Sequence, residues 1–418
     1  MTATMMTRRC AGTIAVLLGM TMLSGCFGTA QDHSSPTATG GRGSADPAKA
    51  AAITEMIRTQ MKDAHLKSVI VRVSVDGKDI IREAFGESMT GVPATVDMHF
   101  RNGSVAIEYM AALLLRLVDE KKISLDDKLS EYVPDFPHAD EVTVRDLAQM
   151  TSGYPDYVLG NDAFVTKSYS DVYHAWTPDE QLALIKDQPL LYPPGTNWNY
   201  AHSNYVLLGQ VLEKVTGMPL DRALKQKVID PLHLTGTVAS QTAEIPPPAL
   251  HAFTSERRPF LGIPADQSFL EESTYWNPSW TLARGSVETS TIDDLHATAI
   301  GIGTGKLLSK ESYAAMTSTA LRGKTTVLPE CVTCTVMDDT RTYGIGLWIA
   351  GHWLLQNPLF SGYAATEAYL PSKKIAIAVA VTFDEGAFDG GDYPNSASTL
   401  FRQIGASLAP DDPPPTGG

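Results

Sequence analysis

The 418-residue chain has few basic residues relative to acidic ones, with 33 Lys and Arg against 47 Asp and Glu, and its formal net charge is −14. A protein that neutralises nucleic-acid phosphates, or that binds anionic lipids through a polybasic surface, needs the opposite excess. The ten histidines show no H-E-x-x-H or other metal-ligand spacing. The composition therefore excludes nucleic acid as a partner, and the sequence predicts neither a metal nor a cofactor.

Long apolar runs are also scarce. Apart from residues 11–23, no stretch approaches the roughly 20 apolar residues that a membrane-spanning helix needs, and that run is itself too short. It follows Arg8 and Arg9 and ends at Leu23-Ser24-Gly25-Cys26. A basic start, an apolar core and small residues before a cleavage site are typical of a secretory signal. The ending resembles a bacterial lipobox, which implies lipidation of Cys26; an ordinary signal peptide with a chance cysteine is the alternative.

The composition divides the chain into four segments. We expect a signal peptide over residues 1–25 and a lipidated flexible tether over 26–47, where Gly, Ser, Thr, Ala and Pro dominate. A folded domain is predicted over 48–408, and a disordered tail over 409–418. This organisation predicts a protein held by its lipid anchor on the extracytoplasmic face of the cell membrane.

Cysteine is rare in the remainder of the chain, where Cys331 and Cys334 stand alone as a C-x-x-C pair. Because an exported protein meets an oxidising compartment, a local structural disulfide is the favoured interpretation. A redox role for the pair and half of a zinc site are the alternatives.

Strand patterns occupy both ends of the folded region, and helical patterns with Pro-rich loops fill its centre. Alternating β-rich segments flank an Asp76-Gly77 turn, and short strands return after about residue 340. We therefore predict an α/β (α+β) fold in which an antiparallel sheet is flanked by helices. The α/β part covers about residues 48–135 and 283–408, and an inserted helical region covers about 136–282.

Several short motifs follow one another in an order that is characteristic of one family. They are Gly103-Ser104-Val105, Val142-Thr143-Val144-Arg145-Asp146-Leu147, Thr151-Ser152-Gly153-Tyr154-Pro155, Trp198-Asn199-Tyr200 and Gly362-Tyr363. In sequence and spacing they resemble class C β-lactamases, D-Ala-D-Ala carboxypeptidases and related esterases, over roughly residues 68–406. The resemblance implies the serine β-lactamase and penicillin-binding-protein fold.

The family's catalytic residues are only partly retained. Ser104 stands at the position of the serine nucleophile, but the lysine expected three residues later is replaced by Ile107. Tyr200 matches the tyrosine of the family's Y-x-N motif, and His202 takes the asparagine position. The third motif, K-T-G or H-x-G, is replaced by Gln356-Asn357-Pro358.

These replacements remove the chemistry that activates the serine. A hydroxyl is a poor nucleophile without an adjacent base, and a tyrosine with an ordinary pKa of about 10 is almost entirely protonated at neutral pH. Pro358 has no N–H to donate to a substrate. The motifs therefore favour a catalytically impaired pseudoenzyme that binds a cell-wall peptide, an acyl ligand or a protein partner. The alternatives are an active esterase or peptidase-like hydrolase, with Ser104 as nucleophile and Tyr200 and His202 sharing the role of base, and a purely structural surface protein.

Each candidate residue also has a structural interpretation that the sequence leaves open. Ser104 suits the capping of the helix that follows, and Tyr200 suits a packed aromatic. A lone histidine such as His202 is often a structural hydrogen-bonding residue. Glu108, which lies about 100° away from position 107 around the helix, is expected to be a solvated or paired carboxylate.

Overall fold

The structure is a computed structural model that describes residues 44–239, 242–286 and 288–416. The predicted signal peptide, Cys26 and most of the predicted tether lie outside the described residues. The last tether residues belong to the folded part, because Asp46 accepts a hydrogen bond from the Lys49 backbone N–H and Pro47 opens the first helix. Proline suits that position, since the first helical N–H groups have no partner in the helix.

Eleven α-helices lie within the described residues. They are α1 Pro47–Asp63, α2 Val105–Asp119, α3 Val144–Ala148, α4 Asp162–Ser170, α5 Pro178–Ala183, α6 His202–Thr216, α7 Leu220–Leu224, α8 Asp230–Leu232, α9 Ile292–Gly303, α10 Lys310–Met316 and α11 Ser396–Leu408. Helices α3 to α8 form the inserted region that the sequence predicts between the two halves of the sheet. None of the helices in the described part of the chain has both the length and the hydropathy to cross a bilayer.

The strands within the described residues form one large sheet and two small ones. The strands are β1 Leu66–Val75, β2 Lys78–Met89, β3 Val92–Pro93, β4 Phe100–Arg101, β5 Val238–Ala239, β6 Phe253–Thr254, β7 Glu271–Glu272, β8 Glu288–Ser290, β9 Arg341–Tyr343, β10 Trp348–Ala350, β11 Trp353–Gln356, β12 Leu359–Phe360, β13 Tyr363–Leu370 and β14 Ile375–Phe383. The large sheet has the order β3-β2-β1-β14-β13-β11-β10-β9, with β12 paired to β13, and its pairs are antiparallel. This arrangement confirms the predicted α/β fold with an antiparallel sheet flanked by helices.

The centre of the large sheet is covered on both faces. Every residue of β13 and β14 is buried, whereas a sheet with one wet face shows alternating burial. Helices α1 and α11 pack on each other and on the sheet, and α9 packs on β13 and β14. Helix α2 is buried along nearly all its length and lies between the sheet and the inserted helical region.

Strands β9 and β10 form a hairpin and are joined by a turn. Gly346 occupies the turn at φ +76°, and a Cβ there would lie 2.3 Å from the Cβ of Ala111 and 3.1 Å from the backbone oxygen of Ile107. Glycine is therefore needed at this position, because the turn packs directly against α2.

The segment over residues 409–418 was expected to be disordered, but residues 409–416 pack along the surface of the domain. The Trp353 indole N–H donates to the backbone oxygen of Asp412 at 3.1 Å, and Ala409 is fully buried. Proline supports this packing, since its fixed φ lowers the entropy lost when an extended segment is ordered.

Candidate active site

Ser104 stands at the junction between β4 and helix α2. Gly103 precedes it at φ +48°, and a Cβ at that position would lie 2.6 Å from the Cβ of Pro358 and 2.7 Å from the ring of Phe360. A glycine is required there, so the serine is presented at the start of the helix beside the strand that carries the altered third motif. The Ser104 side chain makes no capping hydrogen bond to α2, and the capping interpretation is therefore wrong.

The Ser104 hydroxyl instead faces Tyr200. The two side-chain oxygens are 2.9 Å apart, which is a normal distance for a hydrogen bond between hydroxyls. Tyr200 precedes α6, and its backbone N–H points to the backbone oxygen of Thr333 at 3.4 Å. Burial raises the pKa of Tyr200 to about 12, the hydrogen bond to Ser104 opposes this rise, and the nearby charge of Asp156 adds to it. At neutral pH only about one Tyr200 in 10⁵ is ionised, so its phenol is a poor base.

Ile107 lies one turn after Ser104, at the position of the family's lysine, and is completely buried. Residues three apart on a helix share a face, so the hydrocarbon of Ile107 occupies the space beside the nucleophile position. Among the described residues, the hydrogen bond with Tyr200 is the one polar contact that the Ser104 side chain makes.

His202, the first residue of α6, is paired with Asp156. Its Nδ1 lies 3.0 and 3.1 Å from the two carboxylate oxygens of Asp156, and its backbone N–H donates to Oδ1 at 2.9 Å. The backbone N–H of Leu159 donates to the second oxygen at 2.9 Å. The Asp156 side chain is 1% exposed and that of His202 is 12% exposed. Asp156 thus both fixes the imidazole ring and caps helix α6.

The pair does not extend to the serine. Within the described residues, no hydrogen bond joins His202 to Ser104 or to Tyr200, although the rings of Tyr200 and His202 meet edge to face at 5.3 Å. The geometry expected of a histidine that replaces the missing base is therefore not formed. Asp156 was missed by the sequence analysis, although it directly follows the motif stretch ending at Pro155, because no local pattern links it to a residue so distant in sequence.

Glu108 is neither solvated nor paired with a cation. It is 1% exposed and lies beside Glu367 of β13, which is 2% exposed. Burial, together with the charge and hydrogen bonding of the other carboxyl, raises the pKa of Glu108 well above its usual value. Burial raises the pKa of Glu367 to about 8, and its hydrogen bond with Glu108 opposes that rise. The Gln356 backbone N–H donates to Glu367 at 3.0 Å, so the strand carrying the altered third motif is tied to this acid pair.

The space in front of Ser104 is open. A cavity of about 420 Å³ is lined by Ser104, Tyr200 and His202 together with apolar and aromatic side chains. Those side chains include Val158, Trp198, Trp280, Val332 and Trp348. Trp198 and Trp348 belong to an aromatic cluster with Tyr343, with ring centroids 5.0 to 5.3 Å apart. A mostly apolar cavity with a few polar groups is typical of a site for a small organic ligand.

The predicted disulfide between Cys331 and Cys334 is present. It closes a short loop on one side of the cavity, where Asn199 forms a β-bridge with Cys334. Val332 at the tip of the loop is 75% exposed at the mouth of the cavity. Among the described residues, no group of His, Cys, Asp and Glu side chains is arranged to hold a metal ion.

A family model described as Beta-lactamase matches residues 53–400. The chain belongs to the beta-lactamase family. Two curated relatives are a putative D-alanyl-D-alanine carboxypeptidase of Escherichia coli, 28% identical over 198 residues, and the putative penicillin-binding protein PbpX of Bacillus subtilis, 25% identical over 251 residues. The first match covers 43% of this chain and 45% of the relative, and the second covers 60% and 54%. The chain thus spans about half the length of the curated relatives it matches.

Two solved structures share the fold of this chain. A D-stereospecific amidohydrolase from Streptomyces sp. has a TM-score of 0.68 at 24% identity, over 85% of this chain and 98% of that one. A D-amino acid amidase from Ochrobactrum anthropi has a TM-score of 0.71 at 19% identity, over 87% and 99%. At these identities the likeness establishes the beta-lactamase fold alone, so the chemistry of this chain has to be argued from its own residues.

Proposed function

We propose that this beta-lactamase family member is a pseudoenzyme: it binds a ligand in the cleft at Ser104 and does not turn it over. The observation that carries the proposal is Ile107, which is fully buried at the position where the family's chemistry needs a cation beside the serine. Without that cation the Tyr200 phenol keeps a pKa of about 12, and the serine has no adjacent base.

The cleft itself supports binding. Its 420 Å³ volume is large enough for a peptide fragment or a short acyl group. The apolar and aromatic side chains that line it favour an apolar or aromatic portion of the ligand. A peptide ending in D-alanine is the first class to test, since one relative is named a putative D-alanyl-D-alanine carboxypeptidase. An acyl group is the second.

The test is the intact mass of the folded domain, residues 44–418, after exposure to a fluorophosphonate and, separately, to a labelled penicillin. A folded domain that acquires no adduct supports the pseudoenzyme. A stoichiometric adduct that is lost in the Ser104→Ala variant overturns it, because it reveals an activated serine.

The second candidate is a surviving serine hydrolase, and the Asp156–His202 pair favours it. A buried carboxylate that holds Nδ1 of a histidine leaves the other ring nitrogen available as a base, as in serine hydrolases of unrelated folds. The hydrolase needs a shift of His202 of a few ångström toward Tyr200 or Ser104 when substrate binds. An adduct that disappears in both Ser104→Ala and His202→Ala would favour this candidate.

We also propose that the protein is anchored outside the cytoplasm by a lipid on Cys26, as the Leu23-Ser24-Gly25-Cys26 stretch suggests. Metabolic labelling with palmitate, with Cys26→Ala as control, tests it. Label on the wild type alone supports the anchor, and equal membrane recovery of the unlabelled variant contradicts it.

A further inference from the structure

Two arginines beside the cleft form no ion pair with any of the acidic residues that the structure describes. Arg341 of β9 stacks on the Trp348 ring, with its guanidinium carbon 3.7 Å from the ring centroid. Among the described residues its side chain forms no ion pair or hydrogen bond. Arg402 of α11 forms no ion pair there either, and its guanidinium donates only to the Thr399 hydroxyl, at 3.3 Å.

Acidic residues outnumber basic ones in this chain by 47 to 33. Neighbouring carboxylates are engaged elsewhere: Asp338 accepts hydrogen bonds from the backbone of Thr340 and Arg341, and Asp339 pairs with Arg322. Asp412 of the C-terminal segment pairs with His352. The positive charges of the two guanidinium groups are therefore not neutralised by these carboxylates.

The two cations also lie close enough to repel each other. Burial lowers the pKa of Arg341, and the positive charge of Arg402 lowers it further. Both side chains line one small cavity together with Asn357 and Ser398. Two like charges held together at a partly buried place are destabilising unless an anion lies between them.

This small cavity lies beside the cleft at Ser104. Arg341, Trp348 and Asn357 line both. A ligand whose apolar part lies against Trp198 and Trp348 can therefore extend its far end toward the arginines. Guanidinium groups match the oxygens of carboxylates and phosphates through paired N–H donors.

We propose that Arg341 and Arg402 form a subsite for a compact dianion at one end of the ligand, such as a phosphate monoester or a pair of neighbouring carboxylates. The inference rests on the proposed binding function and names the chemistry that this cleft selects. The net negative charge of the protein repels such ligands elsewhere on its surface, so the subsite provides selectivity as well as affinity.

The experiment is calorimetric titration of the wild-type domain with three aromatic probes of similar size: phenyl phosphate, benzylmalonate and the neutral phenylacetamide. At about pH 7.5 the phosphate monoester is a dianion, because its second pKa is about 6. We expect at least one dianion to bind at least about tenfold more tightly than phenylacetamide, with the advantage falling as salt rises. Comparing the affinities of phenyl phosphate and benzylmalonate shows whether the subsite prefers a phosphate monoester or a pair of carboxylates.

Arg341→Ala and Arg402→Ala each should remove most of the advantage that the dianion has over phenylacetamide. Arg58→Ala is the matched control, since Arg58 is exposed on α1 and carries the same charge. If phenylacetamide binds but no dianion is preferred, or if Arg58→Ala has the same effect as the two cleft variants, the subsite is overturned and the binding function stands. If no probe binds the folded domain, the subsite and the proposed binding function both fail.

Discussion

The side-chain oxygen of Ser104 lies 2.9 Å from the phenolic oxygen of Tyr200, so two members of the family's catalytic group still touch. One turn further along α2, the buried side chain of Ile107 stands where the family has a lysine. Contact alone does not activate the serine, because the transfer of its proton needs an acceptor with a pKa near the working pH. The site therefore keeps the contact between the two hydroxyls and has no lysine at position 107 to lower the pKa of Tyr200.

Restoring the cation should restore part of the reactivity. We expect Ile107→Lys to form a fluorophosphonate adduct at least about tenfold faster than the wild type. The rate should stay far below that of an intact site, because removing one member of a catalytic triad lowers the rate by about 10⁴ to 10⁶. The measurement is adduct formation over time by intact mass.

Ile107→Met is the matched control for this gain, because it changes shape without adding charge. A folded Ile107→Lys variant that reacts no faster than Ile107→Met would show that the altered third motif, and not the absent cation, blocks the reaction.

The Glu108–Glu367 pair should make stability depend on pH. Both folded-state pKa values are raised, that of Glu367 to about 8, so the folded protein binds protons more tightly than the unfolded chain. The contribution of this pair to the free energy of unfolding is then largest below the unfolded pKa of about 4.5 and falls as pH rises toward 8. Urea unfolding at several pH values measures the slope.

Glu108→Gln should flatten this slope, because an amide donates a hydrogen bond to Glu367 without titrating. At about pH 8 we expect it to be more stable than the wild type by about 1 to 3 kcal/mol. Glu55→Gln on the exposed face of α1 is the control. Equal slopes in the wild type and in Glu108→Gln would contradict the raised pKa values of this pair.

His202 is expected to matter for stability and not for reactivity. Removing its hydrogen bonds to the buried Asp156 carboxylate should lower the free energy of unfolding by about 1.5 to 3 kcal/mol in His202→Ala. His174→Ala breaks a half-exposed pair with Glu180 and should cost no more than about 1 kcal/mol. Denaturant titration compares the two variants. An equal loss of stability in both would mean that the buried Asp156 carboxylate is not stabilised by its hydrogen bonds with His202.

The disulfide should contribute modestly to stability and more to the shape of the cleft. A loop of four residues restricts the unfolded chain little, so replacing both Cys331 and Cys334 by serine should cost about 2 kcal/mol or less. The loop holds Thr333 beside the backbone of Tyr200, and we expect weaker binding of phenylacetamide in the variant. Unchanged affinity in the double variant, measured by calorimetry, would show that the loop holds its shape without the bond.

Much of the fold was predictable because its signals are local. The bounds of β13 and α11 follow from a β-rich run and from an amphipathic run that each end at turn residues. The break between β9 and β10 was not predictable, since it depends on the contact of Gly346 with Ala111 on a distant helix.

The site was predictable where motif spacing carries it and unpredictable where tertiary contacts do. Ser104, Ile107 and Tyr200 follow from the order of the motifs. The partners Asp156 and Glu367 are separated from His202 and Glu108 by long stretches of chain, so their pairing depends on the fold. Burial also reversed the expectation for Glu108, whose neighbours on the sheet exclude water.

The most direct test of the account is the hydrolysis rate of p-nitrophenyl butyrate and of a chromogenic cephalosporin by the wild-type domain, measured against Ser104→Ala. The absence of a cation at Ile107 predicts that the two proteins hydrolyse each substrate at the same residual rate. A wild-type rate that exceeds that of Ser104→Ala by more than about tenfold would contradict it, because a difference of that size requires an activated serine.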